Sequence, residues 1–324
     1  MNQPATFDVN ETSRLDTFLT KALQEPRNQV AHLIKNSNVT VDGKTVTKPG
    51  LKLKFNQEVL VSFPEAEITP AQEIDFDVEV LYEDDDILVI NKPSNLTVHP
   101  AASVKEPTLV DWLKHKNIRL STISGEERHG IVHRLDKGTS GVMVVAKNNE
   151  AHEKLSLQLQ DRSMGRYYLA VISPLLKDEF TYIDKPIGRS SHNRLKMGVV
   201  EHGKTAQTLF KKLYPSRDES VELITCKLFT GRTHQIRVHL ESISRHIEGD
   251  HLYALKSKKD KISRILLHAY LLYLVHPTTG ETMQFCAPVA NDMQTFINEQ
   301  FNKDTINELI LPNNFNRHFT DFIL

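Results

Sequence analysis

The sequence predicts an α+β protein in two parts: a small α/β module, then a larger domain on a mixed, largely antiparallel β-sheet. Three observations predict it. Helical and strand periodicities follow one another closely over residues 1–65. Residues 66–75 read as a linker, because Pro64 to Gln72 carries two prolines, two glutamates and little apolar content. Over 76–300, short β-rich runs outnumber helical stretches and do not alternate with them strictly, as a doubly wound parallel sheet would require. Residues 301–324 are left as a C-terminal appendage.

Thr12 to Gln24 reads as a helix. Leu15, Phe18, Leu19, Ala22 and Leu23 recur at i, i+3, i+4, i+7 and i+8, and Thr12 or Ser13 can cap it. Glu25-Pro26 breaks it, and a shorter helix follows with Val30, Leu33 and Ile34 on one face. From Val39 to Val46, alternating β-formers flank Asp42-Gly43, a strong hairpin signal. A turn at Pro49-Gly50 precedes a strand over Glu58 to Ser62. In the larger domain the expected strands are Val78–Leu81, Ile87–Asn91, Gly141–Ala146, Tyr167–Ile172, Val221–Leu228 and Thr233–Leu240. The expected helices cover Leu109 to Lys116 and Asn149 to Gln160.

Composition narrows the class. Charged residues at 25% and hydrophobic ones at 39% of 324 residues are those of a globular chain, not a disordered one. No apolar run approaches the ~18 residues of a membrane span. The N-terminus lacks the basic-then-apolar order of a signal peptide. Cys226 and Cys286 both sit in apolar stretches, as buried thiols do. These features point to a cytoplasmic protein with no membrane partner. From Thr12 to Asn56 eight Lys/Arg stand against three Asp/Glu. From Gln57 to Asp86 there are eleven acidic residues and no basic ones. From Lys227 to His268 nine basic residues face four acidic ones. Two basic regions around an acidic stretch fit a polyanion held at two places, and solvated surface charge fits the same counts.

Two stretches are dense in chemistry. His133-Arg-Leu-Asp-Lys-Gly-Thr-Ser-Gly141 is a polar loop between two apolar runs, the kind of segment a rigid sheet positions for function. From spacing alone, Asp136 and Thr139 can equally build an Asx or ST turn. In Thr230-Gly-Arg-Thr-His-Gln-Ile-Arg-Val-His-Leu240, a strand would place Arg232, His234, Ile236, Val238 and Leu240 on one face. A guanidinium on that apolar face requires a carboxylate partner, structural or catalytic. His234 and His239 are five apart and no Cys-x-x-Cys pair exists, which argues against zinc. The Gly-x-Ser-x-Gly elbow, a Walker loop and a dinucleotide fingerprint are absent too. The expected chemistry uses neither metal nor cofactor.

His133-Arg-Leu-Asp136 followed by Thr139-Ser-Gly141 resembles the catalytic motif of the RluA-type RNA pseudouridine synthases, in their RluC/RluD-like branch. Ile87-Leu-Val-Ile-Asn-Lys-Pro93 with Val98-His-Pro100 resembles the family's opening strand. Arg166-Tyr-Tyr168-Leu-Ala170 and Lys185-Pro-Ile-Gly-Arg189 resemble its middle. Gly231-Arg-Thr-His-Gln-Ile-Arg237, Gly249-Asp250 with Tyr253, and Leu267-His-Ala269 with His276-Pro277 resemble its closing motifs. Residues 12 to about 62 resemble an S4 RNA-binding module. Three positions depart from the pattern: Asn95 stands where glycine is usual, Gly138 replaces a common acidic residue, and Arg166 replaces a common lysine.

The resemblance implies a cofactor-independent isomerase that cleaves the uridine C1′–N1 bond, turns the base and rejoins it through C5. It implies Asp136 as the catalytic carboxylate, acting on the sugar or on a proton beside it. A water-excluding site disfavours that charge and a guanidinium restores it, a role the resemblance assigns to Arg232. Tyr168 would pack on the flipped uracil, with its hydroxyl assisting late proton removal from C5. Arg134 would fill the space the base vacates. Arg14, Arg27 and Lys35 would hold phosphates. The expected partner is RNA, foremost large-subunit (23S) ribosomal RNA, bound by a monomer. The alternatives are a tRNA pseudouridine synthase and a non-catalytic, RNA-binding ribosome assembly factor.

Overall fold

The computed structural model describes residues 4–23, 27–62, 74–100, 104–121, 129–253, 262–315 and 319. The Glu25-Pro26 break, Pro64 to Gln72 of the linker stretch and the lysine-rich sequence 256–261 lie outside them. The chain divides into two compact units, Met1–Gln72 and Glu73–Leu324.

The first unit runs β1 (Ala5–Asp8), α1 (Leu15–Leu23), α2 (Arg27–Lys35), β2 (Val39–Val41), β3 (Lys44–Thr45) and β4 (Glu58–Val61). Its antiparallel sheet has the order β1-β4-β2-β3. Asp42 and Gly43, at φ 50° and 74°, make the two-residue turn between β2 and β3, where both central residues must be left-handed. Leu15, Leu19, Val30 and Ile34 pack with Val39, Val59 and Val61 into one buried cluster. Helix α1 starts at Leu15, later than Thr12 or Ser13 would cap it. The N–H groups of Leu15 and Asp16 donate to the carbonyls of Leu51 and Pro49, while the buried Ser13 hydroxyl has no partner among the described residues. The Pro49-Gly50 turn therefore caps this helix.

The second unit runs β5 (Glu79–Glu83), β6 (Ile87–Lys92), α3 (Leu109–His115), β7 (Ser140–Ala146), α4 (Asn149–Asp161), β8 (Gly165–Ser173), β9 (Phe180–Asp184), β10 (Ile187–Arg189), β11 (Met197–Val199), β12 (Gln207–Pro215), β13 (Glu222–Leu228), α5 (Gln235–Glu241), β14 (His246–Ile247), β15 (Leu267–Val275), β16 (Thr282–Cys286), α6 (Asn291–Gln300), α7 (Lys303–Leu309) and α8 (Pro312–Phe315). The main sheet has the order β5-β6-β7-β15-β8-β13-β12-β9, with β14 on β8 and β16 on β15. Its pairs are antiparallel except β7·β15, a short parallel contact of His268 with Ser140 and Ala269 with Gly141. Side chains of β8 alternate between two cores. Tyr168, Ala170 and Ile172 join the cluster that holds Ile90, Trp112, Val144 and Leu155, whereas Tyr167, Leu169 and Val171 face the other side.

That second face is covered by the C-terminal residues. Phe301, Ile306, Ile310, Phe315 and Phe319 bury themselves against Tyr167 and Leu169, and the Tyr270 hydroxyl donates to the Ile310 carbonyl. Of the segment read as an appendage, the described residues 301–315 and 319 form a layer over the core. Asn95 adopts φ 66°, the left-handed conformation that explains asparagine in place of glycine.

The predicted strand Thr233–Leu240 is instead helix α5. Ile236 and Leu240, at i and i+4, enter the large cluster with Tyr168, whereas Val238 enters a small one with Ile187, Ala206 and Tyr253. A helix buried on two sides shows apolar residues at every second position and so imitates a strand. Among the described residues no helix is long and apolar enough to cross a membrane.

Candidate active site

The loop before β7 ends in a turn closed by the backbone: the Thr139 N–H donates to the Asp136 carbonyl at 3.0 Å. The Asp136 side chain is not spent on that turn, which separates it from the Asx-turn reading. Its Oδ2 accepts from Arg237 Nη1 at 3.2 Å and lies 3.9 Å from His234 Nε2. Gly141 follows at φ 117°, where a Cβ would stand 2.1 Å from the Ala269 carbonyl oxygen. Glycine is what allows β7 to meet β15 and hold the loop against the sheet.

Arg237, on α5, is clamped from its other side. Its Nε and Nη2 donate to the two Asp250 oxygens at 2.7 and 2.9 Å, and its guanidinium lies 4.7 Å from the Tyr253 ring centre. Asp250 also accepts the Leu252 and Tyr253 N–H groups, and its side chain is 1% exposed. Burial works against the Arg237 charge, but the Asp250 and Asp136 carboxylates outweigh it and raise its pKa. The Tyr253 hydroxyl also meets His234 Nδ1 at 2.9 Å. Asp250, Tyr253 and Arg237 thus form a fixed support for one carboxylate.

Arg232, expected to be that partner, is not. It sits in the turn before α5, exposed, with its Nε donating to the Thr205 carbonyl. The strand alternation that placed it on an apolar face does not exist there. Buried Gln235 locks the turn, accepting from the Arg232 N–H and the Thr230 hydroxyl and donating to Thr208 and the Gln207 carbonyl. Arg232 still lines the same cleft as Asp136, Tyr168 and Arg134, a cavity of about 580 Å³. The pairing of Asp136 with Arg237 escapes a reading by strand faces. The available signal for a helix was the i, i+4 spacing of Ile236 and Leu240, which Val238 between them masked as strand alternation.

Tyr168 projects from β8 into this cleft. Burial, opposed by Arg166 and reinforced by Asp136, pushes its hydroxyl up to about 12, so it is a neutral phenol near pH 7. His133 accepts the Val144 N–H on Nε2. Burial and the Arg166 charge pull it down to about 3, leaving it a neutral orienting residue. Arg134 stands exposed between buried His133 and Leu135 and contacts His99 Nε2 at 3.3 Å. Lys92 ties the opening strand to the catalytic turn, donating to the carbonyls of Pro93, Leu96 and, at 3.4 Å, Lys137.

In the first unit, Arg14 and Arg27 both grip Asp16, a carboxylate 5% exposed, while their own side chains remain 53% and 60% exposed. The Arg14 hydrogen bonds, against the burial of the carboxylate and together with Arg27, hold Asp16 far below the usual carboxylate range. The pair keeps a net positive charge at the surface, and Lys35 is exposed at the end of α2.

Among the described residues, Asp84, Asp86 and His276 form a grouping of metal-ligand type outside the cleft. Its atoms are already committed. His276 Nδ1 accepts from Thr278 and Thr279, so Nε2 carries the proton it shares with Asp84. This network joins the β5–β6 turn to the end of β15.

A mixed sheet thus places a carboxylate–guanidinium pair in the same cleft as a buried tyrosine, in a chain whose first unit is a small basic module. A profile of the RNA pseudouridylate synthase family matches residues 86–242, and one of the S4 domain matches 13–59. A protein of Helicobacter pylori, an uncharacterized RNA pseudouridine synthase, is 46% identical over 93% of this chain and 94% of its own length. Ribosomal large subunit pseudouridine synthase D of Pseudomonas aeruginosa is 39% identical over 86% of this chain and 89% of its own. That of Zymomonas mobilis is 38% identical over 87% and 92%. The solved structure of human RNA pseudouridylate synthase domain containing 1 superposes with a TM-score of 0.54 at 26% identity, covering 65% of this chain and 83% of its own. The chain belongs to the RNA pseudouridine synthase family and carries an N-terminal S4 domain.

Proposed function

We propose that this enzyme isomerises uridine in large-subunit ribosomal RNA, with Asp136 acting at the sugar and Arg237 as its charge partner. The observation that carries the reading is the Asp136–Arg237 contact, held from behind by Asp250, at the wall of a cleft that also presents Tyr168. Its volume of about 580 Å³ suits a nucleoside. A uridine in structured RNA reaches it by flipping, which costs about a few kcal/mol. Arg134, exposed at the rim, is the side chain to fill the vacated stack.

Tyr168 supplies the platform for the flipped base. Because its hydroxyl stays protonated at neutral pH, it serves as a hydrogen-bond donor before any role in proton removal. Arg232 moves from the carboxylate to the RNA: exposed at the cleft, it is placed to meet a phosphate. Arg14, Arg27 and Lys35 do the same on the S4 domain, giving affinity and position rather than base reading. The ribosomal substrate is supported by the Pseudomonas and Zymomonas relatives, whose names specify the large subunit.

The test is tritium release from ribosomal RNA labelled at uridine C5. The expected result is release by the wild type and a fall of about 10²–10⁴ in Asp136→Asn, the range for a lost acid–base or nucleophilic group. Release at the wild-type rate by Asp136→Asn overturns the assignment.

A further inference from the structure

Most cations of the cleft have a visible occupation. Arg237 holds two carboxylates, Arg232 a carbonyl, Arg162 the Gln207 amide and the Phe229 ring, and Arg134 reaches His99 at the rim. Arg166 does not. It is 8% exposed, its Nε has no hydrogen-bond partner, and among the described residues no carboxylate pairs with it. It lines the same cleft. A buried cation without a partner is strongly unfavourable, and a fold keeps one where the partner arrives with a ligand.

Two placements say what that partner is. Arg166 and Tyr168 are two apart on β8, so they share one face about 7 Å apart along the strand. The chain also clears room for the guanidinium: a Cβ on Gly231 would stand 2.8 Å from Arg166 Nη1, and Gly231 has no positive φ to explain its glycine. The guanidinium therefore lies at the depth of Tyr168, where a flipped base goes. Phosphates, strongly hydrated, stay with the exposed arginines outside.

We propose that Arg166 binds a uracil carbonyl oxygen and takes up the negative charge of the base as it leaves the sugar; this rests on the cleft being the uridine site. When C1′–N1 breaks, the bonding pair goes to N1 and spreads over O2 and O4. The guanidinium donates an N–H to that oxygen and transfers no proton. The pair returns when C5 bonds to C1′, after which the C5 proton leaves and N1 is protonated, so no oxidant or co-reactant is needed. A donor aimed at charge that develops only in the transition state accelerates the chemical step rather than binding.

The experiment compares wild type, Arg166→Lys and Arg166→Met on ribosomal RNA from a strain lacking the enzyme. Single-turnover tritium release is measured at saturating enzyme, and RNA affinity across a salt series. The expected result is a chemical step slowed by about 10²–10³ in Arg166→Met, partly restored in Arg166→Lys, with affinity and salt slope unchanged. An unchanged rate at saturation overturns the proposal, as does weaker binding whose salt slope falls by about one, the sign of a phosphate contact. Should Arg166→Met not fold, Arg166→Lys is assayed on RNA carrying 5-fluorouridine, with base detachment read by mass spectrometry. Fluorine stabilises the departing anion by itself, so the wild-type advantage over lysine must shrink. An equal advantage on both bases overturns the proposal. A wild type that releases no tritium overturns the uridine reading as well, whereas an active wild type matched by Arg166→Met removes only this inference.

Discussion

Replacing Arg237 by methionine tests the corrected pairing. The substitution keeps much of the side-chain volume and removes three charged hydrogen bonds, two to Asp250 and one to Asp136. Asp250 is the more buried of the two carboxylates, at 1% against 20% side-chain exposure, and it retains only its two backbone N–H donors. Breaking a buried pair from one side costs about 3–5 kcal/mol, and those two donors set the expectation near the lower end, about 3 kcal/mol. For a unit of this size that is a fall in Tm of roughly 6–12 °C. The lost hydrogen bond between charges at Asp136 is worth about 1.5–3 kcal/mol, or a chemical step roughly 10- to 150-fold slower. Thermal melting and single-turnover tritium release, below both transitions, measure the two effects separately. Arg232→Met is the control. Its guanidinium is exposed and bonds a carbonyl, so its loss should weaken RNA binding and leave the rate at saturation within about threefold. If Arg232→Met slows the chemical step more than Arg237→Met, the assignment of the carboxylate's partner is wrong.

Lys92 gives a pH dependence with a definite sign. Burial, opposed by Asp136 and reinforced by Arg264, pulls its amine down to about 7 from the usual 10.5. Between those values the unfolded chain binds the extra proton, so this group makes stability rise with pH from 7 to 10.5; below 7 its penalty is fully present. Urea denaturation at pH 6 and 9 should show a rise of about 3 kcal/mol in wild type, two pH units above the folded value at about 1.4 kcal/mol each, that Lys92→Met lacks; parallel pH profiles would refute it. Removing residues 1–72 should weaken RNA binding and flatten its salt dependence without changing the rate at saturation, because the S4 domain holds phosphates rather than the reacting base. Filter binding across a salt series decides that, and an unchanged slope counts against Arg14, Arg27 and Lys35 as phosphate ligands.

Much of this protein is written locally. The Asp42-Gly43 turn, the amphipathic α1 and the apolar runs of β6, β7, β8 and β13 follow from periodicity and turn chemistry, because each is fixed by neighbours in the chain. Asn95 likewise announced its left-handed backbone. Asp136 was legible as the acidic residue of a polar loop between strands, and the resemblance of its motif to a known family gave it a chemistry. The partner of that carboxylate was not legible. Ile236, Val238 and Leu240 alternate because α5 lies between two apolar clusters, and only the packing of both reveals a helix with Arg237 turned toward Asp136. The cap of α1 and the coverage of the sheet by Phe301, Ile306, Ile310, Phe315 and Phe319 were decided in the same way, by contacts between segments far apart in the chain. Local sequence sets which backbone conformations are favourable. Which carboxylate meets which guanidinium, and which arginine is left buried without one, depends on surfaces that exist only once the sheet and helices have packed.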